Sequence, residues 1–170
     1  PIHSKPAKNH GKVGVDLGVN TLATLWKDDG THQKILGPRP MKRFLVQLRK
    51  LSRTVARRVP GSNGREKARL KLARLYARMA NIRKDTTHKL TTMVSSTYST
   101  IVIEDLNVRS MLEQGKRGLA RSVADMGFFE FRRQLEYKME ARGGQVILAD
   151  RYFPSSKKCS HCDWVFKDLK

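Results

Sequence analysis

The chain has 170 residues, enough for one domain with a core of its own. Thirty-five Lys and Arg stand against fifteen Asp and Glu, and the formal net charge of +20 indicates a polyanionic partner. No apolar run approaches the roughly 18 residues of a membrane-spanning helix, which argues against a membrane protein and favours nucleic acid as the partner. No secretory signal opens the chain, so the expected compartment is the cytoplasm.

The first part of the chain predicts a small antiparallel sheet. Residues 1–12 are polar, contain two prolines and are interpreted as a linker or arm. Three β-prone runs follow at 13–16, 21–26 and 33–36, separated by turns that contain Gly, Asn or Asp. Short connections of this kind predict a three-stranded meander.

Two helices are predicted after the meander. From Met41 onward apolar residues recur at helical spacing until Pro60, which ends the first helix. Asn63 followed by Glu66 three residues later is typical of a capping box. The second helix should therefore start at Asn63 and extend to about Tyr98, with at most one break.

The rest of the chain returns to alternating strands and helices. A β-branched strand is predicted at 101–104, a Gly-containing loop at 114–118, a helix over 128–139 and a last strand at 145–149. The order of strands and helical crossovers fits an α/β domain with a mixed sheet of the RNase H-like class.

Two carboxylates end predicted strands. Asp16 ends the first strand and Glu104 ends the fourth. If the helical crossover makes these strands parallel neighbours, both carboxylates reach one edge of the sheet and could hold a divalent metal for phosphodiester hydrolysis. The alternative is that each residue is an ordinary turn or helix-capping acid. Asp105 should point to the opposite face from Glu104 and is expected to be such a turn or cap residue.

The two helices after the meander are strongly basic. Sixteen Lys or Arg lie between Lys42 and Lys89, against two acids. A helix face that only contacts solvent can carry charges of both signs, so solvation does not explain this excess of positive charge. We therefore expect these helices to contact a nucleic-acid backbone. The residues expected to make this contact are Arg53, Arg57, Lys67, Lys71, Arg74 and Arg78.

Cys159 and Cys162 are the only cysteines, with the spacing of one zinc knuckle. Two more ligands are needed for a tetrahedral zinc site, and His161 is poorly placed to be one of them. The sequence ends at Lys170 without a second pair of cysteines. A redox pair is the alternative, but no thioredoxin-like unit surrounds the motif. We therefore expect half of a structural zinc site in a truncated zinc ribbon.

Three motifs together resemble one known family. They are GVDLGV at 14–19, IEDLN at 103–107 and YFPSSKKCSHC at 152–162. In this order they are similar to TnpB, a family of insertion-sequence proteins that is related to the miniature type V CRISPR effectors and carries an old transposase label. The resemblance extends over nearly the whole chain from Val13 onward.

The resemblance implies a RuvC nuclease domain at 13–153 and the first half of a zinc-ribbon element at 154–170. It implies an RNA-guided DNA endonuclease with a guide RNA and target DNA as partners. Asp16 and Glu104 match its first two catalytic acids, which would bind Mg²⁺ or Mn²⁺, and Cys159 and Cys162 would bind structural Zn²⁺. The family's third acid follows a second cysteine pair that this sequence lacks, so the 170-residue piece alone is expected to bind nucleic acid without cutting it.

Two other functions remain open from the sequence. One is a nucleic-acid-binding protein or fragment without cleavage activity, because the third acid is absent. The other is a strand-transfer transposase, since the fold alone does not determine the chemistry. The sequence does not predict the guide RNA, the motif next to the target or the oligomeric state.

Overall fold

The computed structural model describes residues 11–114 and 117–150, together with residues 162, 164 and 166. The predicted arm at 1–12 lies mostly outside these residues, and so does nearly all of the predicted ribbon at 154–170. In the described residues the elements, in chain order, are β1 (Lys12–Leu17), β2 (Ala23–Lys27), β3 (His32–Ile35), α1 (Pro40–Arg57), α2 (Asn63–Thr97), β4 (Thr100–Glu104), α3 (Val108–Gln114), α4 (Arg117–Met126), α5 (Phe128–Glu140) and β5 (Gln145–Ala149).

The strands form one mixed sheet in the order β3-β2-β1-β4-β5. The pairs β1–β2 and β2–β3 are antiparallel, which confirms the predicted meander. β4 pairs parallel to β1 on one side and to β5 on the other. Helices connect these parallel strands, as parallel neighbours require. β1 is therefore central, with the meander on one side and the parallel strands on the other.

One face of the sheet carries the core. Side chains alternate along each strand, so Val13 and Val15 of β1 face the same way as Ile101 and Ile103 of β4. All four are at most 3% exposed. The helical residues that complete this core cluster include Leu90, Val94, Val123, Met126, Phe131, Leu135 and Met139.

The long helix α2 runs without interruption, and its start differs from the prediction in detail. The N-cap is Ser62 and not Asn63, because Ser62 has extended backbone angles and its Oγ accepts a hydrogen bond from the Arg65 backbone N–H at 3.2 Å. Asn63 is the first helical residue. Both residue types are good caps, so the sequence alone could not separate two adjacent candidates.

The predicted loop at 114–118 is wrong in part. Helix α3 continues to Gln114, and α4 begins at Arg117, which leaves Gly118 inside a helix. Residues 115 and 116 are not among the described ones. Burial explains the helices, since Val123 and Met126 of α4 are buried in the core and Met111 of α3 packs against it.

Within the described part of the chain, no helix combines the length and the apolar character that crossing a membrane requires.

Candidate active site and nucleic-acid interface

Asp16 and Glu104 lie level on neighbouring parallel strands. Val15 of β1 pairs with Ile103 of β4. The next residue of β1 is Asp16 and the next residue of β4 is Glu104, so the two acids occupy equivalent positions. Since Val15 and Ile103 are buried in the core, alternation directs Asp16 and Glu104 to the opposite face of the sheet. The structure thus brings the two predicted carboxylates together near the carboxyl ends of β1 and β4.

The two carboxylates interact electrostatically. Burial raises the pKa of Glu104 above its ordinary value, and the negative charge of Asp16 raises it further. Asp16 is exposed and Glu104 is half-buried, so solvent and substrate can reach the pair. A divalent cation between two repelling carboxylates would relieve this repulsion. The pair fits Mg²⁺, which takes oxygen ligands and often only one or two carboxylates from the protein.

The described residues offer no larger ligand set. Within them, no group of three or more His, Cys, Asp or Glu side chains is placed to hold a metal. Ala149 of β5 pairs with Glu104, so Ala149 occupies the position level with the carboxylate pair. Asp150 comes one residue later, just beyond the end of β5, and is exposed.

Asp105 lies in the short segment between β4 and α3, and its side chain reaches α5. Its carboxylate accepts a hydrogen bond from the Arg132 guanidinium of α5 at 2.9 Å. The first turn of α3 is capped by Asn107, whose Oδ1 accepts from the Ser110 backbone N–H at 3.0 Å. Asn107 stands directly before the helix.

A pocket of about 280 Å³ adjoins Glu104. Its wall includes Arg109, Arg132 and the ring of Phe129, which is 70% exposed. These three residues were missed by sequence reasoning. Phe128 and Phe129 are adjacent aromatic residues, and only Phe128 is buried in the core. Phe129 does not fit the helical spacing of the core residues, and this mismatch was the signal in the sequence that it could have another role.

The predicted nucleic-acid contacts are all exposed, and three of them share a groove. Lys71, Arg74 and Arg78 of α2 line a groove of about 260 Å³ beside Gln47 and Leu51 of α1. The predicted cationic face thus lies along the junction of the two helices. Among the described residues, no ion pair with a carboxylate involves any of the six predicted cations, namely Arg53, Arg57, Lys67, Lys71, Arg74 and Arg78.

Phe44 joins this groove to a further cation. The Arg78 guanidinium lies 4.9 Å from the centre of the Phe44 ring, and the Arg43 guanidinium lies 5.3 Å from it. In the sequence Phe44 is one of the apolar residues at helical spacing after Met41, and that spacing does not reveal its contact with the two cations. The ring holds two positive charges from different helices near one another, at the end of the groove.

The predicted zinc half-site is not tested by the geometry. Cys159 lies outside the described residues, and Cys162 is exposed. The assignment of both thiolates to zinc remains a prediction.

Two family models match the chain. Residues 2–114 match OrfB_IS605, described as "Probable transposase", and residues 128–169 match the Cas12f1-like TNB domain. The first match contains both Asp16 and Glu104, and the second contains both cysteines.

The chain is also similar to curated proteins and solved structures. It is 43% identical over 90% of its length to a "Putative RNA-guided DNA endonuclease" of Streptomyces pristinaespiralis, and 37% identical over 99% to InsQ of Escherichia coli K12, which carries the same description. It spans 37% and 43% of those two proteins.

The solved structures show a likeness of fold. A chain in the cryo-EM structure of the Cas12f1-sgRNA-target DNA complex superposes with a TM-score of 0.63 over 96% of the present chain and 33% of that chain, at 16% identity.

Other relatives include the TnpB-like protein L79 of Acanthamoeba polyphaga mimivirus, at 25% identity over 95% of the chain. The family match over residues 2–114, together with these relatives, shows that the chain belongs to the OrfB_IS605 family of TnpB-like proteins.

Proposed function

We propose that the chain is the RuvC-type, RNase H-like core of an RNA-guided DNA endonuclease that hydrolyses phosphodiester bonds with Mg²⁺ or Mn²⁺. The observation that carries the proposal is the level position of Asp16 and Glu104 on one exposed face of two parallel strands. The mixed sheet and the descriptions of the relatives support the same function.

Asp16 and Glu104 would hold the metal ion by their carboxylate oxygens. A divalent cation held there would supply Lewis-acid stabilisation of the scissile phosphate and would activate a water for in-line attack. The raised pKa of Glu104 is a property of the side chain without metal, since a cation would favour the ionised form. The two side chains therefore position the ion, and the rigid strands fix the spacing between them.

The basic groove between α1 and α2 would bind the nucleic-acid backbone. Lys71, Arg74 and Arg78 are exposed cations without carboxylate partners among the described residues, so their charge is available to phosphates. Cations that contact phosphates position a strand without reading its sequence. Recognition of the target would then come from base pairing with a guide RNA, and the guide RNA and target DNA are the proposed partners.

Cys159 and Cys162 would contribute two thiolates to a structural Zn²⁺ site. The spacing of the cysteines is that of a zinc knuckle, and the match to the Cas12f1-like TNB domain includes both residues. Such a site stabilises the local fold and takes no part in the cleavage step.

The test of the proposal uses the full-length protein with its guide RNA. Asp16→Asn and Glu104→Gln should each lower the rate of target cutting by at least about 100-fold, because even the outer partners of metal ligands are worth 10- to 100-fold. Guide-RNA binding should stay within about twofold of the wild type, since these carboxylates do not contact phosphates directly. Mn²⁺ binding, measured by electron paramagnetic resonance, should weaken in both variants.

Asp28→Asn is the matched control, because Asp28 is an exposed acid at the other end of the sheet. It should retain both cutting and Mn²⁺ binding. Full cutting activity by Asp16→Asn or Glu104→Gln would contradict the proposed site. Strong guide-RNA binding by a wild-type protein that cuts no DNA would instead support the binding function without cleavage.

A further inference from the structure

The fold forms a second pocket near the end of β1. It has a volume of about 360 Å³ and lies between the turn that follows β1, the start of α1 and helix α4. These three segments are far apart in the sequence, so the tertiary fold itself creates the pocket. Its lining includes Val19, Asn20, Lys42, Leu45 and Arg121.

The walls of this pocket are fixed without a ligand. Arg39 adopts a left-handed backbone conformation with φ of 40°, and its guanidinium donates hydrogen bonds to the carbonyl oxygens of Val19, at 2.9 Å, and Asn20. A non-glycine residue in this region is strained unless its surroundings hold it in place. These hydrogen bonds attach the turn after β1 to the start of α1.

Asp125 fixes the opposite wall. Its side chain is buried, and its carboxylate accepts hydrogen bonds from the Met41 backbone N–H at 2.9 Å and the Lys42 backbone N–H at 3.4 Å. The Arg83 guanidinium lies 3.4 Å from the same carboxylate. Asp125 thus joins α4 to α1 and α2.

The pocket combines an apolar floor with a cationic rim. Val19, Met41, Leu45 and Met126 supply apolar surface. Lys42 and Arg121 are exposed cations of the same lining. A flat base with an attached phosphate has matching chemistry, since the base needs an apolar surface and the phosphate needs positive charge.

The pocket is also close to the carboxylate pair. Val19 follows Asp16 by three residues, so their Cα atoms are at most about 11 Å apart. The carboxylate pair and the pocket thus both lie at the carboxyl end of β1, the carboxylates on the face of the sheet opposite the core and the pocket beside Met126 of the core.

We propose that this pocket binds one unstacked nucleotide of the DNA strand whose phosphodiester lies at Asp16 and Glu104. The base would lie against Leu45, and its phosphate would contact Lys42 and Arg121. The assignment rests on the proposed nuclease function, and it adds a site that holds the strand in register with the carboxylates. Lys42, Leu45 and Arg121 are therefore positioning residues.

The experiment places 2-aminopurine, whose fluorescence rises on unstacking, at single positions of the target strand around the cut. The full-length protein, with guide RNA and the Glu104→Gln substitution to keep the DNA intact, should raise the emission at one position near the cut. Leu45→Trp, which fills the floor, should abolish this rise. The surface double variant Lys42→Gln/Arg121→Gln should abolish it as well, and it provides the answer if Leu45→Trp fails to fold.

Cutting supplies the second measurement. With Glu104 restored, the Lys42→Gln/Arg121→Gln variant should cut about 10- to 100-fold more slowly, because a displaced substrate loses this much in rate. Lys12→Gln/Lys27→Gln is the matched control. It removes two positive charges from the opposite end of the sheet and should retain both the emission and the cutting rate.

The outcomes separate this pocket from the nuclease assignment. A wild-type protein that cuts no DNA contradicts the proposed function and this pocket with it. A protein that cuts normally but raises the emission at no position, or retains the rise in the Lys42→Gln/Arg121→Gln variant, contradicts the pocket alone. A rise from 2-aminopurine in the guide RNA, with none in the DNA strand, would likewise overturn the assignment.

Discussion

Glu104 is held where its ionised form is unfavourable in the absence of a cation. Half-burial removes part of its hydration, and Asp16 adds a like charge on the neighbouring strand. The metal-free domain would gain stability if Glu104 were neutral, and binding sites commonly retain such costs because the function needs them. This cost at Glu104 is what the proposed metal site would offset when a cation is bound.

Glu104→Gln should therefore raise the melting temperature of the metal-free protein. The amide keeps the shape of the side chain but removes a charge that burial and Asp16 both disfavour. Thermal unfolding in EDTA at neutral pH measures the effect, with Glu140→Gln on the exposed side of α5 as the control. Added Mg²⁺ should stabilise the wild type more than the variant, because only the wild type has both ligands. A lower melting temperature in EDTA would show that Glu104 has a structural role.

At the scale of the elements, the periodic spacing of apolar residues predicted those helices and strands whose position depends on packing into the core. The long apolar stripe of α2 gave a predicted range of 63 to about 98, against the observed Asn63–Thr97. The short helix α3 was missed because seven residues carry too few turns for a periodic pattern. Long-range pairs such as Asp105 with Arg132 were also missed, since only the folded chain brings α5 close to the residue that follows β4.

A hydrogen-bonded network joins α5 to α2 through Gln134 and includes Glu130 of α5. Its carboxylate accepts from the Arg133 guanidinium and from the Gln134 amide, each at 2.8 Å. Gln134 is fully buried and its Oε1 accepts a hydrogen bond from Thr91 of α2 at 2.9 Å. The hydrogen bonds from Arg133 and Gln134 lower the pKa of Glu130 to about 2.

This lowered pKa predicts how stability depends on pH. The ionised Glu130 stabilises the fold at any pH above its ordinary pKa of 4.5, and the contribution is lost as the pH falls from there to about 2. Because Glu130 is partly exposed, the loss should be about 1 kcal/mol or less. Urea unfolding at pH 7, 4 and 3 measures it as the difference between wild type and Glu130→Gln. A difference that stays constant over this range would exclude the network as its source.

At the scale of the whole molecule, the excess positive charge is concentrated in helices α1 and α2 rather than spread evenly over the chain.

The sequence predicted some parts of the site and not others. The pairing of Asp16 with Glu104 could be predicted because the ends of both strands could be recognised in the sequence. The groove between α1 and α2 could not be predicted in the same way, because it depends on how the two helices pack. Gln47 of α1 and Arg74 of α2 become neighbours only in the folded chain.

Nucleic-acid binding should depend on which cations are removed and not only on how many. Lys71→Gln/Arg74→Gln should weaken the salt dependence of duplex DNA binding, reducing the slope of log K against log salt by about 1.8, because each phosphate contact contributes about 0.9. Arg69→Gln/Lys89→Gln is the matched control. It removes one Lys and one Arg from the same helix, but these cations are paired with Glu66 at 3.0 Å and Asp85 at 2.7 Å. Titrations of the full-length protein at several salt concentrations should leave the slope of the control near that of the wild type. Equal slopes in the two variants would mean that net charge alone, and not the groove, determines binding.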